Sequence, residues 1–445
     1  MSLAELQSCV LDGVTLTPNS SITPVNLTWS MGISWSSMIA QSTMVRAVCN
    51  SGYDRESFLT EEHSLPRDPR DAVAVATDDV GILLVGSQTT GPGLSAARAR
   101  RVAASMADMG IQEKSQKRLE GVDHGTLLGI QLSQGNRLQV PAQKMVDLIL
   151  ALTDLCCQPA VTPADLHSLQ ASCQWYCLLH RSLLSCFNHV YDFVRSEPLN
   201  HAVPVPACVL DELLLAFALA PLWAVDLRAP WLERLVASDA SQSFGFGVCA
   251  APCPADVVRR TAMQTARQEG HVRLTQEPGD EPEKPRLGDA FRIPLSMSDF
   301  KTLASRKAKY QDHSGGLEAS ALVLAMDLLS RDKSAHGARV VFLVDARAVL
   351  FAAEKGRSSA STLNRHMKRI AALTLACGWL AHFVYVPSES NPADAPSRGV
   401  RRRWERTRRT RRSVIQNGLK RPPTGASWRH GSPTAAASGP MLDGH

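Results

Sequence analysis

The sequence predicts a mixed chain, α/β and α+β, with two sheet-bearing regions joined by helices. Three observations predict it. Val340 to Val344 is a run of five apolar residues closed by Asp345, the pattern of a strand covered on both faces. Before it, a helix starting near Gly316 places Glu318, Leu322, Ala325 and Leu329 on one face. Far upstream, DAVAVATDDVGILLVGS sets two apolar runs either side of Asp78-Asp79, the signature of a β-hairpin. A length of 445 residues allows two or three cores. An apolar share of 44% excludes a chain disordered throughout. No apolar run of membrane length and no signal peptide is present, so no membrane partner is expected. The eleven cysteines lack zinc-ligand spacing and read as reduced thiols of a cytoplasmic or nuclear protein.

In chain order, SLAELQSCVLDG reads as a helix closed by Gly13. WSMGISWS is an aperiodic loop whose Gly32 permits close backbone approach. It launches a helix from Ser37 bearing Met38, Gln41 and Val45. The Asp78-Asp79 hairpin tip is either a plain Asp turn or a divalent-metal site. SAARARRVAASMADMGIQ is a helix stopped by Gly110, with Arg98, Arg100 and Arg101 exposed. GTLLGIQLSQGNRLQVP is a second hairpin, Leu127 to Leu132 and Leu138 to Val140, turned at Gly135. From Pro141 the pattern turns helical, with Met145, Leu148, Leu152 and Leu155 in one stripe. Thr162-Pro163-Ala164-Asp165 is a capped helix start, and Leu166, Leu169, Cys173 and Tyr176 continue the stripe. Trp175 reads as core and His180 and Arg181 as surface, with contact to a nucleic-acid backbone as the alternative.

A new domain begins near Ala229 with a strand ending on Asp239. The next strand alternates Phe244, Phe246 and Val248, while Gly245 and Gly247 leave its other face bare for a close approach. HVRLTQEPGDEPEKPRLGD reads as an exposed insertion and DAFRIPLSM as the return strand. EKGRSSASTLNRHMKRIAALTLACGWL is a loop and a helix stopped by Gly378, and AHFVYVP is a strand. Asp394 sits in a Pro-flanked turn into a short helix. A carboxylate at each boundary of a buried helix–strand unit costs burial energy that a pure core avoids. Divalent cations explain it, because they take clustered carboxylate oxygens. Asp239, Glu318, Asp345 and Asp394 are therefore read as one site.

These residues carry a resemblance. Asp239 in SDAS, Glu318 on its helix, Asp345 in VDARAV and Asp394 in VPSESNPADAPSR resemble the ribonuclease H domain of retroelement polyproteins. The order Asp, Glu, Asp, Asp argues against integrases and transposases, which place the glutamate after the second aspartate. WSMGISWS resembles the template-binding motif of reverse transcriptases, and ATDD stands where their Tyr-x-Asp-Asp hairpin would be. EKSQK and TLLGIQL resemble the palm motifs that follow. The ending SNPADAPSR is most similar to elements that carry a tyrosine recombinase (DIRS-like), with gypsy-type elements second. The resemblance implies a truncated reverse transcriptase palm over 1–140 and a helical thumb or connection over 141–228. A ribonuclease H-like mixed-sheet domain over 229–400 follows, and beyond the resemblance the arginine-rich run makes 401–445 a basic, disordered tail.

The resemblance also implies chemistry: Mg²⁺-dependent hydrolysis of RNA in RNA–DNA hybrids, with two ions held by Asp239, Glu318, Asp345 and Asp394. It implies a further metal site at Asp78 and Asp79, facing a nucleotide triphosphate. The expected partners are RNA–DNA hybrid and single-stranded or duplex nucleic acid. Met31 and Gly32 would meet the template, and Ser241, Gln242, Ser243 and Arg357 the hybrid. Arg401, Arg402 and Arg403 would meet phosphates, or serve in a nuclear-localisation signal or a solvated end. No oligomeric state is specified. Three departures stand out. The first palm aspartate is absent, since Asp12 has the wrong surroundings, so no polymerase activity is expected of this chain. Ala76-Thr77 replaces the usual Tyr. The loop before Asp394 has Ser388-Glu389 rather than a histidine. The alternative function is a catalytically inactive nucleic-acid-binding remnant.

Overall fold

The computed structural model describes residues 10–11, 14–15, 36–60, 71–85, 91–196, 198–264, 270–278, 282–286 and 288–400. At the N-terminus Val10–Leu11 (β1) pairs antiparallel with Val14–Thr15 (β2). Of the stretch expected as a helix there, Val10–Leu11 is strand, and the rest lies outside the described residues. Helix α1, Ser36–Asn50, buries Met44, Ala47 and Val48. Strands β3, Asp71–Ala76, and β4, Asp79–Leu84, form the expected hairpin. Helix α2, Gly91–Asp108, covers it, and Val48, Tyr53, Phe58, Val73 and Val102 make the shared core. Arg98 is not the free surface residue expected. It pairs with Asp71 and lies over the Tyr53 ring at 5.4 Å.

The second hairpin is a three-stranded meander instead: β5 Gly125–Leu127, β6 Ile130–Ser133 and β7 Arg137–Gln139. Leu128-Gly129 turns with φ of 51° and 76°, which breaks the long strand that the apolar run suggested. The helical region follows as α3 Ala142–Cys157, α4 Pro163–Cys177, a 3-10 stretch Leu178–Cys186, α5 His189–Val194 and α6 Ala207–Ala218. Thr162 caps α4, its hydroxyl accepting from the Asp165 amide at 3.1 Å. Two expectations fail here. Trp175 is exposed rather than core, because its indole N–H donates to the Leu128 carbonyl at 2.9 Å and pins α4 to the β5–β6 turn. His180 is half-buried, 3.3 Å from the Ala224 carbonyl, and burial lowers its pKa. Strand β8, Val225–Asp226, then pairs with β7.

The C-terminal region is a mixed five-stranded sheet. Its strands are β9 Trp231–Ala240, β10 Gly245–Pro252, β13 Lys301–Lys307, β14 Arg339–Val344 and β15 Leu380–Tyr385, in the order β13-β10-β9-β14-β15. The pairs β13–β10 and β10–β9 are antiparallel, while β9–β14 and β14–β15 are parallel. Helices α8 Ser314–Ser330, α9 Arg347–Lys355 and α10 Ser361–Ala376 pack on one face, against Val236, Val340, Phe342 and Val344. Helix α7, Ala255–Ala262, packs on the other, against Leu235, Ala237, Val341 and Leu343. Alternate residues of β14 thus serve opposite cores, as a continuous apolar run requires.

The stretch expected as an exposed insertion is half structural. His271–Arg273 (β11) pairs parallel with Ala290–Arg292 (β12), and His271, Val272 and Arg273 are buried. The expected return strand therefore belongs to this small ribbon. The true neighbour of β10 is β13, which its lysines disguise, because an edge strand can carry charge outward. Helix α9 fills the stretch between the Val340–Val344 strand and the loop from Glu354, to which the sequence assigned no element. Val349, Leu350, Ala352 and Ala353 bury at helical spacing. The helical region meets α10 directly. Asn364 donates to the Ser185 carbonyl at 3.0 Å, and Lys368 approaches Glu212 at 3.5 Å. Among the described residues every cysteine is free, and no helix is long and apolar enough to cross a membrane.

Candidate metal centre

Strand register brings two acids together. Val344 lies opposite Ser238 in the parallel pair β14–β9, so one further step sets Asp345 beside Asp239. Helix α8 crosses this end of the sheet and turns Glu318 inward, where its Oε2 accepts from the Ala240 amide at 3.1 Å. One carboxylate oxygen each from Asp239, Glu318 and Asp345 lie within 4.8 Å of one another, with Asp239 buried and the other two half-buried. Among the described residues no other group of three metal-capable side chains is this close.

Asp394 opens the short helix α11, Asp394–Ser397. This helix reaches the sheet because Gly247 has no side chain. A Cβ there would stand 2.3 Å from the Ala393 carbonyl and 2.5 Å from the Ser397 nitrogen. The bare face of β10 thus receives a segment of the same chain. Asn391 fixes the approach, donating to the Ser238 carbonyl at 3.1 Å and accepting from the Ala393 amide at 3.0 Å. The Asp394 carboxylate itself is forked by the Arg398 guanidinium at 2.7–3.1 Å. It stands outside the cluster of three but contributes to the field there.

Burial, then the neighbouring Asp345 charge, push Asp239 up to about 8, and the Ser397 hydroxyl offsets part of this. The same two causes, with Asp239 added, push Glu318 up to about 9. Asp345 Oδ1 is buried with no hydrogen-bond partner. Three converging carboxylates, two of them reluctant to ionise and one with an orphaned oxygen, fit a hard divalent cation. A pH dependence follows. The folded-state pKa values of Asp239 and Glu318 lie above the ordinary carboxylate range, near 4. Their contribution to stability is complete below about pH 4 and is lost as pH rises through about 8 and 9. A divalent cation held by these acids would compete with these protons, so the stabilising shift in Tm on adding Mg²⁺ should grow from pH 5 to pH 9. Thermal melts with and without Mg²⁺ check this; an equal shift at both ends contradicts it.

Other expected site residues fall elsewhere. Ser241, Gln242 and Ser243 form the β9–β10 turn next to Asp239, with Gln242 and Ser243 exposed and the two serine hydroxyls 2.8 Å apart. Arg357, in the α9–α10 loop, stacks 4.4 Å from the Tyr191 ring of the helical region. Asp78 and Asp79 are exposed at the β3–β4 tip, and no third ligand joins them among the described residues. Met31, Gly32, Arg401, Arg402 and Arg403 lie outside the described residues. Glu389, the residue standing where a histidine was sought, is forked by Arg286 at 2.8 and 3.2 Å, which holds its carboxyl below its ordinary value. Sequence reasoning missed Asn391, Arg398 and Arg286. Asn391 had a signal in SNPAD, since Asn before Pro favours a turn that its side chain can brace. The two arginines had none.

No protein-family model matches the chain, and no curated protein matches it. Among solved structures, it is similar to a foamy viral protease-reverse transcriptase in complex with double-stranded DNA, with a TM-score of 0.32 and 10% identity. The match covers 78% of this chain and 48% of that one, so the chain spans about half the length of the structure it matches.

Proposed function

We propose that the C-terminal sheet is a ribonuclease H-like hydrolase that cuts the RNA strand of RNA–DNA hybrids. The convergence of Asp239, Glu318 and Asp345 at one end of a mixed sheet carries this reading. The helix-borne acid lies between the two strand-borne acids in the chain, the order that sets this class apart from integrases. Asp239, Glu318 and Asp345 would hold Mg²⁺, with Asp394 as the fourth acid beside them. Mg²⁺, when bound, neutralises these acids and polarises a phosphodiester as a Lewis acid. The protein's own groups do the positioning. The Ala240 amide orients Glu318, and Asn391 braces the segment that carries Asp394. The side chains of Ser241 to Ser243, in the turn next to Asp239, would offer polar groups to the 2′-hydroxyls of a wide minor groove.

A second reading, a nucleic-acid-binding remnant without catalysis, has its own support. Arg398 neutralises Asp394, and Arg286 occupies Glu389. One experiment separates the two. A hybrid labelled on its RNA strand, incubated with the full chain and Mg²⁺, should lose the RNA and keep the DNA, and a chelator should stop the reaction. Intact RNA on a hybrid that the protein binds would leave the remnant reading.

A further inference from the structure

A pair of lysines lies beside the metal centre. Strand β13 is the outer strand of the sheet, and Lys307 pairs with Gly245, Arg306 with Phe246 and Ser305 with Gly247. Gly247 in turn pairs with Asp239, so side-chain alternation puts Ser305 and Lys307 on the face that bears Asp239. The chain then continues through Ala308, whose amide donates to the Phe244 carbonyl at 2.8 Å, beside the Ser241–Ser243 turn. Lys309 and Tyr310 follow, before α8 delivers Glu318. Lys307 and Lys309 are exposed, and Tyr310 is 82% exposed, whereas Arg306, one residue out of step, belongs to the opposite face. No ion pair forms at these two lysines among the described residues.

We propose that Lys307 and Lys309 form the track on which the sugar–phosphate backbone of a nucleic-acid strand lies as it enters the metal centre, with Tyr310 offering a ring face to a sugar at its end. This rests on the reading that the metal centre acts on nucleic acid. The charge balance at the site calls for such a track. A cluster of carboxylates repels a polyanion, and unpaired cations on its flank restore attraction and supply contacts that release counterions. Lysines on an edge strand also serve to block strand-to-strand aggregation. That purpose does not account for Lys309, which lies past the end of β13 where there is no edge to guard.

The test uses the full chain carrying Asp345→Asn, so that no substrate is consumed, and a fluorescent RNA–DNA hybrid. Binding is measured across a salt series for Lys307→Ala/Lys309→Ala. A charge-matched control, Arg259→Ala/Lys333→Ala, removes exposed cations near the far end of the sheet. Two lost phosphate contacts, at about 0.9 each, lower the slope of log affinity against log salt by about 1.8. The affinity lost between about 50 and 200 mM salt then shrinks roughly 12-fold. That change in the track variant, with a small one in the control, supports the proposal. An unchanged slope, or equal changes in both variants, overturns it. If the chain without Asp345→Asn cuts no hybrid while the track variant still loses slope, the hydrolase reading falls and the track stands. If that chain cuts hybrid and the slope is unchanged, only the track falls.

Discussion

Asp345→Asn should reduce hybrid cleavage by on the order of 10³-fold or more, the effect of removing one member of a set that acts as a unit. Asn keeps the shape of the side chain and removes its charge. Asp345 is the neighbour whose charge most raises Asp239 and Glu318, second only to burial itself. Its loss therefore lets both neighbours ionise more easily. Two consequences separate this variant from a merely damaged one. Without divalent ions above pH 7 it should melt at or above the wild-type temperature, because repulsion has been relieved. With Mg²⁺ its melting temperature should barely move, whereas that of the wild type rises. A variant that cleaves like the wild type would remove Asp345 from the chemistry. A wild type indifferent to Mg²⁺ would remove the metal.

Gly356→Ala should be the most damaging small substitution in the described fold, costing roughly 3 kcal/mol or more. Gly356 ends α9 with φ of 77°, and a Cβ there would stand 1.8 Å from the Arg181 carbonyl oxygen and 2.3 Å from its carbon. Both are backbone atoms, so no side chain can swing aside. Relief means parting the 3-10 stretch from α9, and with it the buried hydrogen bond from Asn364 to Ser185. Gly337→Ala isolates the cause. It shares a left-handed φ of 68° but has nothing within 4 Å of the added atom, so conformation alone should cost about 1 kcal/mol. Urea denaturation of the two variants gives the comparison. Equal losses would mean that the contact between the helical region and α9 is looser than described.

The sequence by itself determined whatever depends on near neighbours. Five consecutive apolar residues make Val340 to Val344 a strand buried on both faces. The 3.6-residue period aims Glu318 the same way as Leu322 and Ala325. Thr162, Pro163 and Asp165 start a helix for reasons confined to one turn. The bare face at Gly245 and Gly247 announced a close approach without naming what approaches.

Only the tertiary structure decided the rest. Whether a lysine-rich segment is loop or edge strand depends on β10 being there to pair with it. Whether Trp175 is core or surface depends on a carbonyl forty-seven residues away. The gathering of Asp239, Glu318 and Asp345 depends on a parallel register between β9 and β14 and on the path of α8 across them. The restraint on Asp394 comes from Arg398, Asn391 and the missing side chain of Gly247 together. Local preference is set by each residue's own torsions and the turn or pleat around it. Strand pairing and close approach are settled by contacts between distant segments, whose energies no short stretch of sequence contains.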